Sequence, residues 1–462
     1  MFWDWFWEYG IVILFYVSVI LLIYLNRSKF HFENKFIAMY KTKFGLKFME
    51  RFAKKSGKKT DMFGAFLYKL TLAFCLITGL PLLLELILTL TANISFIPQA
   101  IASFMVIVFW VSFVVYLIAI IFFKQIKRAG TTGIHVGYVG MIFMVLFLAF
   151  GLYLLIFRPD VPPLISPVLP GVQIPGSPVK LPLLEGLIGL FVVVVVHEFS
   201  HGILARAHKI PVKSSGFVMI GPLPGAFVEP DEKKVVKASN NTQLSIFAAG
   251  PWSNILLFLF VLLVYSFIMI GVSAIYEPVG VTVVDFVNPS DNAVGGRLDV
   301  LSKGDVITEI NNGGIKSIYD IKTQLENASP GDSISLQTDS GQKNIVLTSD
   351  PANESIPYLG LMLDTQVEPK QGNAFGFLKA IQGIIFEIID ILYWIFVLSL
   401  GIGIVNLLPI GPTDGGRMFY IALQKWYKKK KATNIFSKTS LILLVVLIIL
   451  VFVPIIKAVF GF

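Results

Sequence analysis

The sequence predicts a polytopic α-helical membrane protein of about eight spans, with a small β-rich domain inserted between two of them. Three observations carry that prediction. Of 462 residues, 55% are hydrophobic and only 15% charged, whereas a soluble domain carries about 25% charged residues. Apolar runs of roughly 20 residues, long enough to cross a hydrocarbon core of about 30 Å, recur along most of the chain. Residues 279–364 break the pattern, being polar, with short alternating segments separated by turn signals. A purely soluble protein, a disordered chain, a collagen and a coiled coil are excluded.

The apolar runs are 11–25, 66–92, 99–123, 133–157, 183–207, 245–275, 378–408 and 439–460. The segment before the first has no basic cluster and carries Asp4 and Glu8, so it reads as an anchor and not as a cleaved leader. Trp3, Trp5 and Trp7 beside it suit an interfacial aromatic belt. The net charge of +9 sits in short clusters next to the runs, at 26–62, 124–128, 206–237 and 425–431. Positive charge flanking spans sets orientation, so these clusters imply no nucleic-acid partner. All four fall on the same side when the spans alternate, which puts them in the cytoplasm and places the N-terminus and 279–364 outside. The tract Lys428–Lys431 also suits contact with anionic lipid. Residues 158–182, with eight prolines, read as an irregular outer loop. The single cysteine, Cys75, has no partner for a disulfide.

The inserted region has alternating segments at 281–287, 305–310, 333–337 and 343–347, with one helix near 318–327. The four segments 1–160, 183–275, 279–364 and 376–462 are therefore an N-terminal membrane region of four spans, the first part of a core, the β-rich insertion and the second part of the core.

Chemistry concentrates in the fifth run. His197-Glu198-Phe-Ser-His201 places two imidazoles at i and i+4 on one helix face, at the reach of one Zn²⁺. Glu198 beside them can take a proton from water. Three adjacent ionisable groups in an apolar run each carry an insertion cost of about 2.5–3.5 kcal/mol, which calls for a function. Zinc then needs a third protein ligand. His208, Glu229 and Glu232 are candidates, but Asp414 is the better one. It follows Asn406-Leu-Leu-Pro409 at the end of the seventh run, where Pro409, Gly411, Pro412, Gly415 and Gly416 break the helix. Broken backbone at membrane depth needs protein or a water-filled cavity around it. Glu85, Glu387 and Asp390 are also charged within spans and suit a solvated or gating role.

These motifs resemble the site-2 proteases, zinc metalloproteases that cut within the membrane. His197–His201 matches the family's HExxH, Gly250-Pro251-Trp-Ser-Asn254 its GPxxN element, and Asn406 through Gly415 its NxxPxxxxDG, so that the resemblance covers about 183–460. It implies His197, His201 and Asp414 as zinc ligands, Glu198 as general base, and Asn406, Gly250, Pro251 and Asn254 in substrate binding. It also implies that 216–229, including Gly221-Pro-Leu-Pro-Gly225, is a membrane-embedded loop offering a strand edge to transmembrane protein substrates. The first four spans carry no family motif. The insertion resembles a PDZ domain, with Gly304-Asp305-Val-Ile-Thr-Glu-Ile-Asn311 as one signature and Tyr358-Leu359-Gly360-Leu361 as the carboxylate-binding loop. That resemblance implies either docking of a peptide C-terminus by strand addition or a steric gate. The rival readings are a transporter, which also uses broken helices but would carry repeats, and an inactive scaffold presenting the PDZ domain.

Overall fold

The computed structural model describes residues 10–33, 37–54, 58–92, 97–158, 162–177, 179–220, 223–286, 300–326, 328–350, 353–370 and 375–460. Trp3, Trp5, Trp7, Asp4, Glu8, Gly221 and Pro222 lie outside them, as does Val287 at the end of one predicted strand. The chain divides into two compact units, residues 1–264 with 390–462 and residues 265–389. The second unit is wider on both sides than the predicted insertion 279–364.

The first unit begins with α1 (Ile11–Leu25), β1 (His31–Glu33), β2 (Ile37–Thr42), α2 (Leu46–Ala53), α3 (Lys58–Ala92), α4 (Gln99–Ile121) and α5 (Ile126–Phe157). It continues with α6 (Leu183–Ala207), β3 (Val212–Ile220), β4 (Leu223–Pro230), α7 (Glu232–Lys237) and most of α8 (Asn240–Ile275). Among the described residues, seven helices are long and apolar enough to cross a membrane: α3–α6, α8, α10 and α12, the last two introduced below. The eighth predicted run is α1, whose 15 described residues rise about 22 Å at 1.5 Å each; the residues before Gly10 lie outside the described ones. Several helices outrun their apolar cores: α5 starts at Ile126 where hydropathy begins at 133, because a helix continues into the polar interface after its apolar stretch ends.

The basic stretch 26–62, expected as a loop, is structured. β1 and β2 join β3 and β4 in one antiparallel sheet of order β1-β2-β3-β4, with Tyr40 opposite Phe217 and Phe217 opposite Ala226. α2 seats a fully buried Met49 beneath α6. Gly202 on α6 makes this possible, since a Cβ there would meet the Met49 Sδ and Val228. The proline-rich stretch 158–182 is irregular as expected, with a left-handed Gly171 in a turn and the Tyr16 hydroxyl donating to the Pro170 carbonyl at 2.9 Å.

The second unit holds the antiparallel sheet β12-β5-β6-β8-β9, with the short β7 against β6. Its strands are β5 (Tyr276–Phe286), β6 (Val306–Ile310), β7 (Gly313–Gly314), β8 (Ser333–Thr338), β9 (Gly341–Val346) and β12 (Leu361–Pro369). A hairpin of β10 (Thr348–Asp350) and β11 (Asn353–Tyr358) precedes β12. Val281, Val283, Ile307, Ile310, Leu336 and Leu347 form its buried core. The helix α9 (Ile318–Leu325) starts at a capping box in which Ser317 and Asp320 satisfy each other's backbone N–H groups. The loop Tyr358–Leu361 leads into β12, with Leu359 buried and Gly360 left-handed at φ +67°. β12 is an edge strand, the position from which strand addition is possible.

The chain returns to the first unit through α10 (Phe375–Val405), α11 (Asp414–Trp426) and α12 (Lys429–Phe460).

Candidate metal centre

Helix α6 carries His197 and His201 one turn apart, their rings edge to face with centroids 4.9 Å apart. Across from them stands Asp414, the first residue of α11. The approach is tight because the start of α11 packs on the broken segment after α10. A Cβ at residue 415 would fall on the Leu407 backbone and one at 416 on the Ile410 carbonyl, so both positions require glycine. Thr413 caps the helix, its hydroxyl oxygen accepting from the Gly416 N–H at 3.1 Å. The Gly415 N–H donates to the Asn406 carbonyl at 2.8 Å, tying the two motif ends together.

Asp414 Oδ2 lies 3.1 Å from His197 Nε2 and 3.3 Å from His201 Nε2. Ligands about 2.0–2.2 Å from one tetrahedral centre stand about 3.3–3.5 Å apart, so the carboxylate oxygen stands from each imidazole at nearly the separation of two zinc ligands. His197, Glu198 and His201 together bring potential ligand atoms within 4.8 Å of one another. The other ring nitrogens are engaged from behind. His201 Nδ1 donates to the Ile246 carbonyl at 2.7 Å, and His197 Nδ1 faces the Asn254 amide at 3.2 Å. The amide nitrogen points at the imidazole, and the buried Asn254 Oδ1 has no partner. Turning the amide over lets Oδ1 accept Nδ1–H, the arrangement that leaves His197 Nε2 without a proton. Both imidazoles then present a bare Nε2 toward Asp414, the tautomer a metal ligand needs.

Gly250 completes the fit, because a Cβ there would fall against Nε2 of both histidines, in the space an ion would take. Pro251 follows it inside α8. Asn254 is wholly buried, and its carbonyl accepts from the Ser399 hydroxyl at 2.8 Å. Sequence reasoning grouped Gly250, Pro251 and Asn254 with substrate binding. Gly250 and Asn254 lie against the imidazoles, a placement that only the packing of α8 on α6 reveals.

Glu198 faces a different neighbour. Its Oε2 accepts the Val228 N–H of β4 at 3.1 Å, on the edge of the sheet that no described strand covers. A cavity of about 640 Å³ opens here, lined by both histidines, Glu198, Asn406, Asp414 and Val228 among others. Asn406 sits on the wall of this cavity.

The rival third ligands are placed elsewhere. His208 caps the end of α6, its ring nitrogens 3.4 Å and 3.5 Å from the Thr242 and Ser245 hydroxyls. Burial, together with the nearby Lys127 charge, holds its imidazole below the usual range. Glu229 accepts from the Ser214 hydroxyl at 2.6 Å and from Lys41 at 3.1 Å. Those bonds, the serine's foremost, keep its carboxyl below the usual range, so it is committed as a charged partner of β2 and β3. Glu232 lines the same cavity but is exposed.

Comparison with known proteins bears on this geometry directly. Residues 185–449, more than half of the chain, match the model of peptidase family M50. The chain belongs to peptidase family M50, the site-2 protease family. The matched stretch begins just inside α6 and ends within α12, so it contains every residue of the centre described above. An uncharacterised protein of the M50 chain's relatives, from Methanocaldococcus jannaschii, is 30% identical over 237 residues, 51% of this chain and 56% of that protein. The match therefore spans little more than half of that relative's length. The PDZ domain of the SdrC-like protein from Listeria monocytogenes is similar at 29% identity over 18% of this chain and 87% of that one, with a TM-score of 0.16.

Proposed function

We propose that this M50 chain is an intramembrane zinc endopeptidase that hydrolyses peptide bonds within or near transmembrane segments of membrane proteins, as in regulated intramembrane proteolysis. The observation that carries the reading is the convergence of Asp414 on both imidazoles, 3.1 and 3.3 Å away, beside the Glu198 carboxylate, which accepts from a strand edge.

In this reading His197, His201 and Asp414 hold the ion and Glu198 is the base. Zinc, when bound, supplies a Lewis acid that acidifies water and polarises a carbonyl. Glu198 takes the proton from the attacking water and passes it to the leaving amide nitrogen, so that one carboxylate serves as base and then as acid. The Val228 N–H holds one oxygen of that carboxylate and fixes its direction. A helical substrate hides its carbonyls in hydrogen bonds, so the segment must unwind before hydrolysis. β4 supplies an edge on which the unwound segment can pair, and Asn406 a side chain on the cavity wall to hold its backbone.

The four basic clusters support an orientation with this centre near the cytoplasmic face of the cell membrane and the β-rich unit outside. The unit then acts before cleavage, docking a peptide terminus on β12 or excluding bulky outer domains.

Glu198→Gln tests the mechanism. The purified variant should keep about one zinc per chain, because Glu198 is not a ligand, and lose hydrolysis by the 10²–10⁴-fold, roughly, that a general base contributes. Activity within about tenfold of wild type would exclude the assigned base.

A further inference from the structure

The first unit has a second concavity, of about 410 Å³, lined by Lys54, Arg206, Lys209, Lys234 and one acid, Glu50. The four cations come from separate places in the chain. Lys54 follows the end of α2, Arg206 is in the last turn of α6, Lys209 is in the turn after it, and Lys234 is on α7. No ion pair of these four is present among the described residues. Lys54, Lys209, Lys234 and Glu50 are exposed, so the lining carries an excess of three positive charges around one hollow.

Two details distinguish the hollow from a scatter of topology-setting lysines. Lys209 adopts φ +63°, the left-handed conformation that favours glycine at such a helix end, and so places a cation where a small residue would sit with less strain. Arg206 donates from Nη2 to the Val212 carbonyl at 3.1 Å, while its Nε is shut away from solvent without a partner. Positive charge anywhere near the helix ends would orient the chain, and lysines at the ends of α2 and α6 suit the helix dipoles. Neither requirement explains why three elements aim their cations at one concavity.

We infer that this concavity binds a phosphate group, the phosphodiester headgroup of an anionic lipid or a free phosphate, at the end of the spanning helix α6. Basic pockets between helices at a membrane surface recognise such headgroups through charge and geometry together. The inference stands apart from the peptidase reading, since none of these residues belongs to the metal centre.

The test uses the purified full chain in neutral detergent and calorimetric titration with water-soluble short-chain phosphatidylglycerol, short-chain phosphatidylcholine and inorganic phosphate. Phosphatidylglycerol should bind at least about tenfold more tightly than phosphatidylcholine. Combined Lys54→Gln, Lys209→Gln and Lys234→Gln should weaken it by about tenfold or more. The same loss of charge at Lys428, Lys429 and Lys430, which do not line the hollow, reads out diffuse attraction alone and should weaken binding less than the first variant does. All three lysines of the first variant are exposed, so the fold survives their change. Inorganic phosphate binding as tightly as the lipid would identify free phosphate as the ligand; binding by the lipid alone would identify the headgroup. An unaffected first variant, or equal weakening in both, would overturn the site and leave only diffuse attraction.

Discussion

Asn254 illustrates how a residue can matter to a metal centre without touching its contents. It has no exposure, faces His197 Nδ1 at 3.2 Å, and carries an oxygen whose natural donor is that ring N–H. Its expected effect is on ligand orientation. Asn254→Leu, which keeps the volume and removes the acceptor, should lower zinc affinity about 10–100-fold, the range for loss of a hydrogen bond behind a metal ligand. Asn254→Asp, which keeps an acceptor, should restore much of it. Competition with a chelator measures both, and an unchanged Leu variant would show that packing alone holds the ring. At this scale the sequence was legible where chemistry is local: His197 and His201 lie one turn apart on one helix, so their common face follows from helical geometry, with Glu198 beside it. Asn254 was legible as a motif member but not in its role, because that depends on which face of α8 meets α6 some 50 residues earlier.

At the level of elements, the sheet β1-β2-β3-β4 is what the sequence concealed. Its hairpin β3–β4 follows α6 directly and was expected as a strand-forming loop. β2 comes from about 170 residues upstream, in a segment whose lysines read as a solvated, orientation-setting loop. The pairing depends on Gly216, where a Cβ would collide with the Tyr40 carbonyl, a fit that only the assembled sheet displays. β2 covers one side of β3, leaving β4 as the edge beside Glu198. Thus the N-terminal region, which carries no motif of the family, bears on the centre by completing its sheet and bracing α6 through Met49. The edge makes a specific prediction. Val228→Pro removes the N–H that Glu198 accepts, and because that N–H points away from β3, the hairpin ladder keeps its bonds. Zinc content should stay at the wild-type level while hydrolysis falls on the order of 10²-fold, the cost of a misplaced catalytic group. Equal loss of zinc and activity would mean that the substitution had collapsed the sheet instead.

For the whole molecule, composition and hydropathy located every long helix among the described residues, since an apolar run of the right length has few alternatives in a membrane. They could not fix where each helix ends. The orientation is a charge argument and has its own test. In a Cys75→Ser background with single cysteines at Ser340 and Lys429, an impermeant thiol reagent on intact cells should label the first and spare the second. The reverse labelling would place the β-rich unit inside and remove its part in screening substrates. What the centre does to membrane proteins is measured most directly by comparing membrane-anchored fragments in cells carrying the wild-type chain and cells carrying Glu198→Gln at equal abundance. The account predicts a set of fragments, with ends in or beside transmembrane segments, present with the wild type and absent with the variant. Fragment sets that are the same in both would contradict it.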